Sequence, residues 1–396
     1  DEDMVNEQRT HLLDASSPNP SVETLLHAFL PHKFIDHSHA DAILVIANQP
    51  NAEILCNKIY GEKMGIVPYI MPGFDLAKAA AEIYEENPGV KGLILINHGL
   101  FTFGDTAKES YDRHIEAVQQ AEDFIASHEE KKLSPISKKT VADEREMLLA
   151  IGPHIRGLYS KETGKNWLIH HREDHVAYDF ASSQECADWS QIGTATPDHV
   201  IRTKQKPLLL NPQHLNDSEK LREEIFNALE EYKTNYHRYF KTNTQSKGVN
   251  KKELDPLPRI ILIAGLGLVT IGKSAKEAKI SADIYQHTIN IIRKAFNVGQ
   301  FAPLKDNDLF DMEYWSLEQA KLGRSKPALA QGKIVYITGA ASGIGLATAE
   351  LFAKNGASLF LVDLDKKSLT IEAERLQKKF KTGITFQVID VTDEKA

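Results

Sequence analysis

Apolar runs and helically spaced apolar residues alternate along the first third of the chain. The run GLILIN and the shorter stretches FIDHSH and GIVPYIM have the length and flanking turn residues of strands. Around them, apolar residues recur every three or four positions and end at proline or Pro-Gly, as in helices. The pattern predicts an α/β lobe over residues 1–132, with helices at 20–31, 40–50, 76–89 and 107–132 and strands at 34–39, 65–71, 90–99 and 100–106.

The same alternation continues in a second lobe, residues 140–300, and restarts near the end of the chain. Residues 301–327 have the pattern of a linker with a short helix, and residues 328–396 begin a further β–α–β unit. The segments predicted for the second lobe are a helix at 141–158, a strand at 166–183, a charged helix at 216–242 and a closing strand–turn–helix unit at 259–296.

Two stretches of the chain repeat each other. Residues 95–109 (LINHGLFTFGDTAKE) and 263–277 (IAGLGLVTIGKSAKE) share seven of fifteen positions. Average residue frequencies give roughly one identity by chance. His98 in the first copy stands opposite Leu266 in the second. We therefore expect the second lobe to be a degenerate copy that keeps the turn and lacks the histidine; the alternative is two unrelated strand–turn–helix units.

Composition and charge exclude several classes of function. The net charge of −8 and the lack of a basic stripe make nucleic acid an unexpected partner. No run approaches the ~20 apolar residues of a membrane span, and the opening DEDMVNEQRT lacks the features of a signal peptide. Cys56 and Cys186 form neither a CxxC pair nor a disulfide framework. We therefore expect a cytoplasmic protein without a membrane partner, and the start at Asp1 leads us to expect a fragment of a longer chain.

Two histidines near the end of a predicted strand form a candidate metal site. His37 and His39 are two positions apart, so both imidazoles point to one face of a strand. His98 follows the run GLILIN, and Gly99 lets the chain turn away without a side chain in the way. Three imidazoles with an open position make a catalytic zinc arrangement. The alternative is a solvated or hydrogen-bonded pair that holds no metal.

The segments PSVETLLHAFLP, FIDHSHADA and LINHGLFTFG together resemble the class II aldolase/adducin family. The resemblance implies zinc bound by His37, His39 and His98, and a catalytic glutamate upstream, at Glu23. It also implies that the substrate is a ketose 1-phosphate bound at the zinc, and that Glu23 transfers protons. A glutamate at the start of a helix is otherwise an ordinary complement to the helix dipole.

Other branches of this family are the alternatives. Its epimerases share the three histidines but differ at the acid/base position, so Glu23 favours an aldolase. Its adducin-like branch is a non-catalytic oligomerising scaffold that lacks the full set of histidines. The family's phosphate-binding loops lie upstream of the glutamate, where this sequence has only about 20 residues.

A glycine-rich turn, TGAASGIG, follows the strand-like run IVYIT. A helical stretch comes next, as phosphate binding at a helix N-terminus requires. The segment resembles the short-chain dehydrogenases, and VIDVT matches their adenine-side segment. Asp363 ends the next strand, where an acid accepts from the ribose hydroxyls and repels a 2′-phosphate, which favours NAD over NADP. The predicted cofactor-binding residues are Thr338, Gly339, Ser342, Gly343, Ile344, Gly345, Asp363 and Asp390; the alternative is a turn without a ligand.

The order of these units resembles the bifunctional rhamnulose-1-phosphate aldolase/short-chain dehydrogenase family. Residues 191–210 (QIGTATPDHVIRTKQKPLLL) are also similar to that family. The resemblance implies cleavage of a 6-deoxyketose 1-phosphate to dihydroxyacetone phosphate and lactaldehyde, oxidation of the aldehyde with NAD, and a homo-oligomer. No tyrosine follows Tyr336, so we expect the N-terminal half of a Rossmann fold, without dehydrogenase chemistry in this chain.

Overall fold

The computed structural model describes residues 2–136, 143–322 and 327–393, and it confirms the α/β fold class. Two lobes with one four-stranded sheet each are followed by a three-stranded unit. The predicted helix start at 141–142, the end of the predicted linker at 323–326 and residues 394–396 lie outside the described residues. Among the described residues, none of the helices combines the length and apolar character that crossing a bilayer requires.

The first lobe has strands in the order β1–β4–β3–β2, and only the β2–β3 pair is parallel. The two strands around the central turn, β3 and β4, are buried at every position, as the apolar run indicated. Helix α4 was not predicted. The elements are α1 (Glu2–Thr10), α2 (Thr24–Phe29), β1 (Phe34–Ser38), α3 (Asp41–Ala47), α4 (Ala52–Tyr60), β2 (Met64–Val67), α5 (Phe74–Glu86), β3 (Gly92–Leu95), β4 (Gly99–Gly104) and α6 (Ala107–Ala126).

The second lobe has the same sheet topology, β5–β8–β7–β6, again with only one parallel pair, β6–β7. The predicted strand at 166–183 is shorter in the structure, because the Asp174 side chain accepts from the Ala177 N–H and starts a helix. The elements are α7 (Glu144–Thr163), β5 (Leu168–Arg172), α8 (His175–Ala181), α9 (Cys186–Trp189), α10 (Val200–Thr203), β6 (Leu208–Leu210), α11 (Ser218–Lys247), β7 (Ile260–Ile263), β8 (Gly267–Gly272) and α12 (Ala275–Val298).

The repeated sequence forms the same turn, strand and helix start in both lobes. Thr102 of β4 donates its hydroxyl to the carbonyl of Ser110 at 3.1 Å, and Thr270 of β8 donates to Ala278 at 2.7 Å with the same spacing. In each lobe a threonine or serine side chain then caps the following helix. The second lobe is therefore a structural copy of the first.

A single hydrophobic core joins the two lobes, with α3 of the first packed on α12 of the second. Gln49, just after α3, donates to a carbonyl of α12 at 3.0 Å. The segment that follows each lobe also forms a hydrogen bond to the other lobe. The Ile136 N–H donates to Ser182 O at 2.8 Å, and the Ala302 N–H donates to Asn48 O at 2.7 Å. The two lobes thus share one buried interface.

The segment predicted as a linker is built into this two-lobe body. It contains α13 (Asp306–Glu313) and α14 (Ser316–Ala320). Leu309, Met312 and Trp315 are buried together with Val22 of the first lobe and Val200 of the second. This small cluster fastens the chain immediately before Glu23.

The last unit consists of β9 (Ile334–Thr338), α15 (Gly343–Lys354), β10 (Ser358–Asp363), α16 (Lys366–Phe380) and β11 (Ile384–Val388). Its strands are parallel in the order β11–β10–β9. Ile337 and Leu361 face a core formed with the two helices. Tyr336 points to the opposite face, where it stacks on Phe360 and remains more than half exposed. This is the βαβ start of a Rossmann fold, as the glycine-rich turn indicated.

We predict that Ile292→Ala destabilises both lobes together. Ile292 is fully buried in α12 within the shared core, so its truncation should lower the free energy of unfolding by about 2–5 kcal/mol. Ile54→Ala, at an exposed position of α4, is the control and should change it by less than about 0.5 kcal/mol. Urea unfolding and amide hydrogen exchange measure this. Faster exchange confined to the second lobe, with α3 unchanged, would contradict the shared core.

Candidate metal centre

The three candidate histidines meet at one end of the first sheet. His37 is in β1, His39 follows that strand, and His98 lies in the turn between β3 and β4. Gly99 permits this close approach. A Cβ there would lie 2.5 Å from the Ser38 carbonyl oxygen and within 3.0–3.2 Å of the His39 and His37 rings. Only glycine therefore lets the turn come up against the strand that carries the first two histidines.

Four ligand atoms converge at this point. The Nε2 atoms of His37 and His39 are 3.1 Å apart. Glu23 Oε1 lies 3.0 Å from His98 Nε2 and 3.4 Å from His37 Nε2. All four groups fall within 4.8 Å of one another. Ligands at about 2.0–2.1 Å from a tetrahedral ion lie roughly 3.3 Å apart, so the spacing fits a metal such as zinc.

The rings are oriented by contacts on their far side. The Nδ1–H of His37 donates to the Leu100 carbonyl at 2.9 Å, which directs Nε2 toward the other ligand atoms. Its ring also stacks on Phe101, with 4.1 Å between centroids. His98 is almost completely buried. Ser38, between the first two histidines, lies 2.6 Å from His114 Nε2, which ties the strand to α6.

The charge states also suit a metal. Burial lowers the pKa of His39, so its imidazole stays neutral. Burial acts to raise the pKa of Glu23, but its hydrogen bonds to His37 and His98 act in the opposite sense and hold the pKa well below its usual range. A neutral imidazole and an ionised carboxylate are the forms that bind divalent ions.

Three charged groups that the sequence reasoning missed lie near this centre. Asp198, in the turn before α10, has its Oδ1 atom 3.6 Å from His39 Nδ1. Glu318 of α14 is buried and pairs with Lys321. Burial raises the pKa of Glu318, and the charges of Asp198 and Glu23 add to that rise while Lys321 opposes it. No local pattern indicates that these residues lie near the three histidines, because each comes from the second lobe or the segment that follows it.

The second lobe has no equivalent centre among the described residues. Strand pairing places His37 opposite Phe101 and His171 opposite Val269, which aligns with Phe101 in the repeat. His171 is thus the counterpart of His37. However, its Nε2 lies 2.9 Å from the Leu266 carbonyl oxygen, at the turn where the first lobe has its third histidine.

The glycine-rich turn lies between β9 and α15. Thr338 ends β9, and Gly339 and Gly343 have positive φ angles of 62° and 54°. A Cβ at Gly345 would lie 2.1 Å from the Gly339 oxygen, so that position requires glycine. Ser342 precedes α15 and Ile344 is largely exposed on its first turn. The loop and helix start therefore leave backbone N–H groups available to an anion.

The two predicted acids lie at the carboxyl ends of the strands. Asp363 Oδ2 accepts from the Ala341 N–H of the glycine-rich turn at 2.9 Å. Backbone hydrogen bonds lower its pKa. Asp390, after β11, accepts from the Thr392 N–H at 2.9 Å. Asp363 is thereby joined to the loop, while Asp390 lies beyond the next strand.

Comparison with known families assigns a description to each unit. Residues 2–125 match the family described as class II aldolase and adducin N-terminal domain. Residues 146–322 match the second domain of class II aldolase, and residues 333–396 match short chain dehydrogenase.

Similar proteins cover these units together or one at a time. An uncharacterized oxidoreductase of Bacillus subtilis, YuxG, is 36% identical over the whole of this chain. This chain spans 58% of the length of YuxG. The 3-oxoacyl-[acyl-carrier-protein] reductase FabG of Thermotoga maritima is 47% identical over 16% of this chain and 25% of its own. A solved class II aldolase domain from Thermoplasma acidophilum is 51% identical over 31% of this chain and 57% of its own, with a TM-score of 0.30.

Proposed function

This chain joins class II aldolase domains to a short-chain dehydrogenase domain. From that premise we propose that its first lobe is a zinc-dependent aldolase. The substrate is a ketose 1-phosphate of the rhamnulose 1-phosphate type, and the products are dihydroxyacetone phosphate and lactaldehyde. The observation that carries the proposal is the convergence of one ring nitrogen from each of three histidines and one carboxylate oxygen within 4.8 Å. An adducin-like scaffold has no need of such a set.

The residues divide the chemistry between them. A zinc ion, when bound by His37, His39 and His98, supplies a Lewis acid for the charge of the enediolate left by C3–C4 cleavage. Glu23, whose Oε1 lies 3.0 Å from His98 Nε2 beside the same point, is the general base. It takes the proton of the C4 hydroxyl as the bond breaks and returns a proton to C3, so that no further reactant is needed.

The C-terminal unit supports the second half of the proposal, which is NAD-dependent oxidation of the aldehyde by the complete dehydrogenase domain. The glycine-rich loop would hold the pyrophosphate at the start of α15, and Asp363 would accept from the ribose hydroxyls. Relatives matched over this unit are covered to about 25% of their length. The oxidation is therefore proposed for a chain that carries the whole domain.

We predict one zinc or similar divalent ion per chain. His98→Ala should abolish it, because the site loses one of three imidazoles. His171→Ala is the matched control in the second lobe and should keep full metal content, since its ring pairs with a carbonyl. Elemental analysis of the purified proteins measures this. Metal near zero in the unaltered protein, or equal content in the His98 variant, would contradict the proposal and favour a scaffold.

We predict that Glu23→Gln keeps the metal but removes aldol cleavage. Loss of the proton-transferring carboxylate should lower the rate by about 10²–10⁴-fold in the full-length protein. Glu53→Gln, at an exposed position of α4, should leave the rate unchanged. The assay follows dihydroxyacetone phosphate release with metal content measured in parallel. Near-normal turnover in the Glu23 variant would show that Glu23 does not transfer protons and is only an acidic residue at the start of a helix.

We predict a preference for NAD over NADP of at least about tenfold in a protein with the complete dehydrogenase domain. The Asp363 carboxylate would face the 2′-phosphate, and such contact between like charges costs on the order of a few kcal/mol. Asp363→Ala should relax the preference and weaken NAD binding, whereas the exposed Glu374→Ala on α16 should change neither. Titration with both nucleotides tests this. A preference for NADP, or one that the Asp363 variant retains, would refute the assignment.

A further inference from the structure

A carboxylate of the second lobe reaches the histidines of the first. Asp198 Oδ1 lies 3.6 Å from His39 Nδ1, while Nε2 of the same ring lies 3.1 Å from His37 Nε2. His39 thus presents one nitrogen to the candidate centre and the other to Asp198. In a metal-binding imidazole these nitrogens have separate roles, because a group that holds the proton on one leaves the other free for the metal.

We propose that Asp198 is a positioning residue for His39. Its carboxylate keeps the proton on Nδ1 and holds the ring so that Nε2 faces the metal. The proposal rests on the proposed function, because it requires that the centre binds a divalent ion. It goes further by giving the second lobe, which has no such centre of its own among the described residues, a part in the site of the first.

The neighbouring histidine shows the same arrangement with a different acceptor. For His37 the Nδ1–H donates to the Leu100 carbonyl at 2.9 Å. The 3.6 Å between His39 and Asp198 is longer than a hydrogen bond, so the attraction here is electrostatic. A full negative charge is effective at that distance where a neutral carbonyl would not be, since it acts on the proton through the partly buried space between them.

Asp198 is itself held in place by both lobes. Thr196 donates its hydroxyl to Asp198 Oδ1 at 2.5 Å. Just before it, the Ala195 carbonyl accepts from Asn48 Nδ2 of the first lobe at 2.9 Å. Just after it, Val200 is buried in the cluster that also contains Val22, the neighbour of Glu23. The segment that carries Asp198 and the residue next to the general base therefore share one support.

The test is the affinity of the metal-free protein for Co²⁺ and Zn²⁺, measured by competition with a chromophoric chelator. Asp198→Asn keeps the shape of the side chain and its acceptor for Thr196 but removes the charge. We expect its metal dissociation constant to rise about 10- to 100-fold at an unchanged stoichiometry. The Co²⁺ absorption spectrum should shift as well, because the orientation of one imidazole ligand is relaxed. Asp198→Glu, which restores a carboxylate, should recover part of the affinity.

Asp188→Asn, an exposed aspartate of α9 in the same lobe, is the control and should bind metal as the unaltered protein does. An Asp198→Asn constant within about twofold of the unaltered one, with the same Co²⁺ spectrum, would overturn this inference and leave the proposed function intact. No metal binding by the unaltered protein would instead overturn the proposed function. If Asp198→Asn does not fold, Thr196→Val is the second variant. It removes the hydroxyl that holds Asp198 but keeps the Asp198 charge, and we expect it to weaken metal binding. An unchanged metal dissociation constant in Thr196→Val would also overturn the inference.

Discussion

The burial of helix α3 beyond its first residue is the constraint on which the rest of the structure depends. Every residue from Ala42 to Ala47 is at most 4% exposed, so these six residues have no face toward solvent. It can exist only between the first sheet and the second lobe, and α12 covers it from the second lobe. His39 lies two residues before this helix, and Asn48 and Gln49 immediately after it bond to the second lobe. The position of the candidate centre is therefore fixed by the contact between the lobes.

This arrangement explains why a degenerate lobe is retained in the fold. The second copy keeps the strand order, the turn and the helix cap of the first, yet it has Leu266 where the first has His98. Its own imidazole at the corresponding strand, His171, pairs with a backbone carbonyl. What the second lobe provides instead is the cover for α3, Val200 of the buried cluster beside Glu23, and a carboxylate next to His39. The two copies are alike in backbone and different in their contribution to the site.

The features of the fold and the candidate centre that depend on local patterns could be predicted from the sequence. Side chains two positions apart in a strand point to one face, which is why His37 and His39 could be paired from their spacing. Gly99 indicated a tight turn at His98. The strand at 166–183 was predicted too long, because a capping aspartate ends it early in favour of a helix. The placement of Asp198 and Glu318 near the three histidines and the packing of residues 306–320 could not be predicted. They depend on contacts between segments more than a hundred residues apart, for which the local sequence carries no pattern.

The proposed centre is defined by the atoms around its metal, and X-ray absorption at the zinc edge of the zinc-loaded protein identifies these atoms directly. We expect three imidazole nitrogens at about 2.0–2.1 Å, one further oxygen in the first shell and no sulfur. The protein-bound zinc signal should be lost in His98→Ala, whereas the outer-shell scattering of ordered imidazole rings should persist in His171→Ala. A first shell with sulfur at about 2.3 Å, or one without three imidazoles, would place the metal elsewhere and contradict the assignment of the centre.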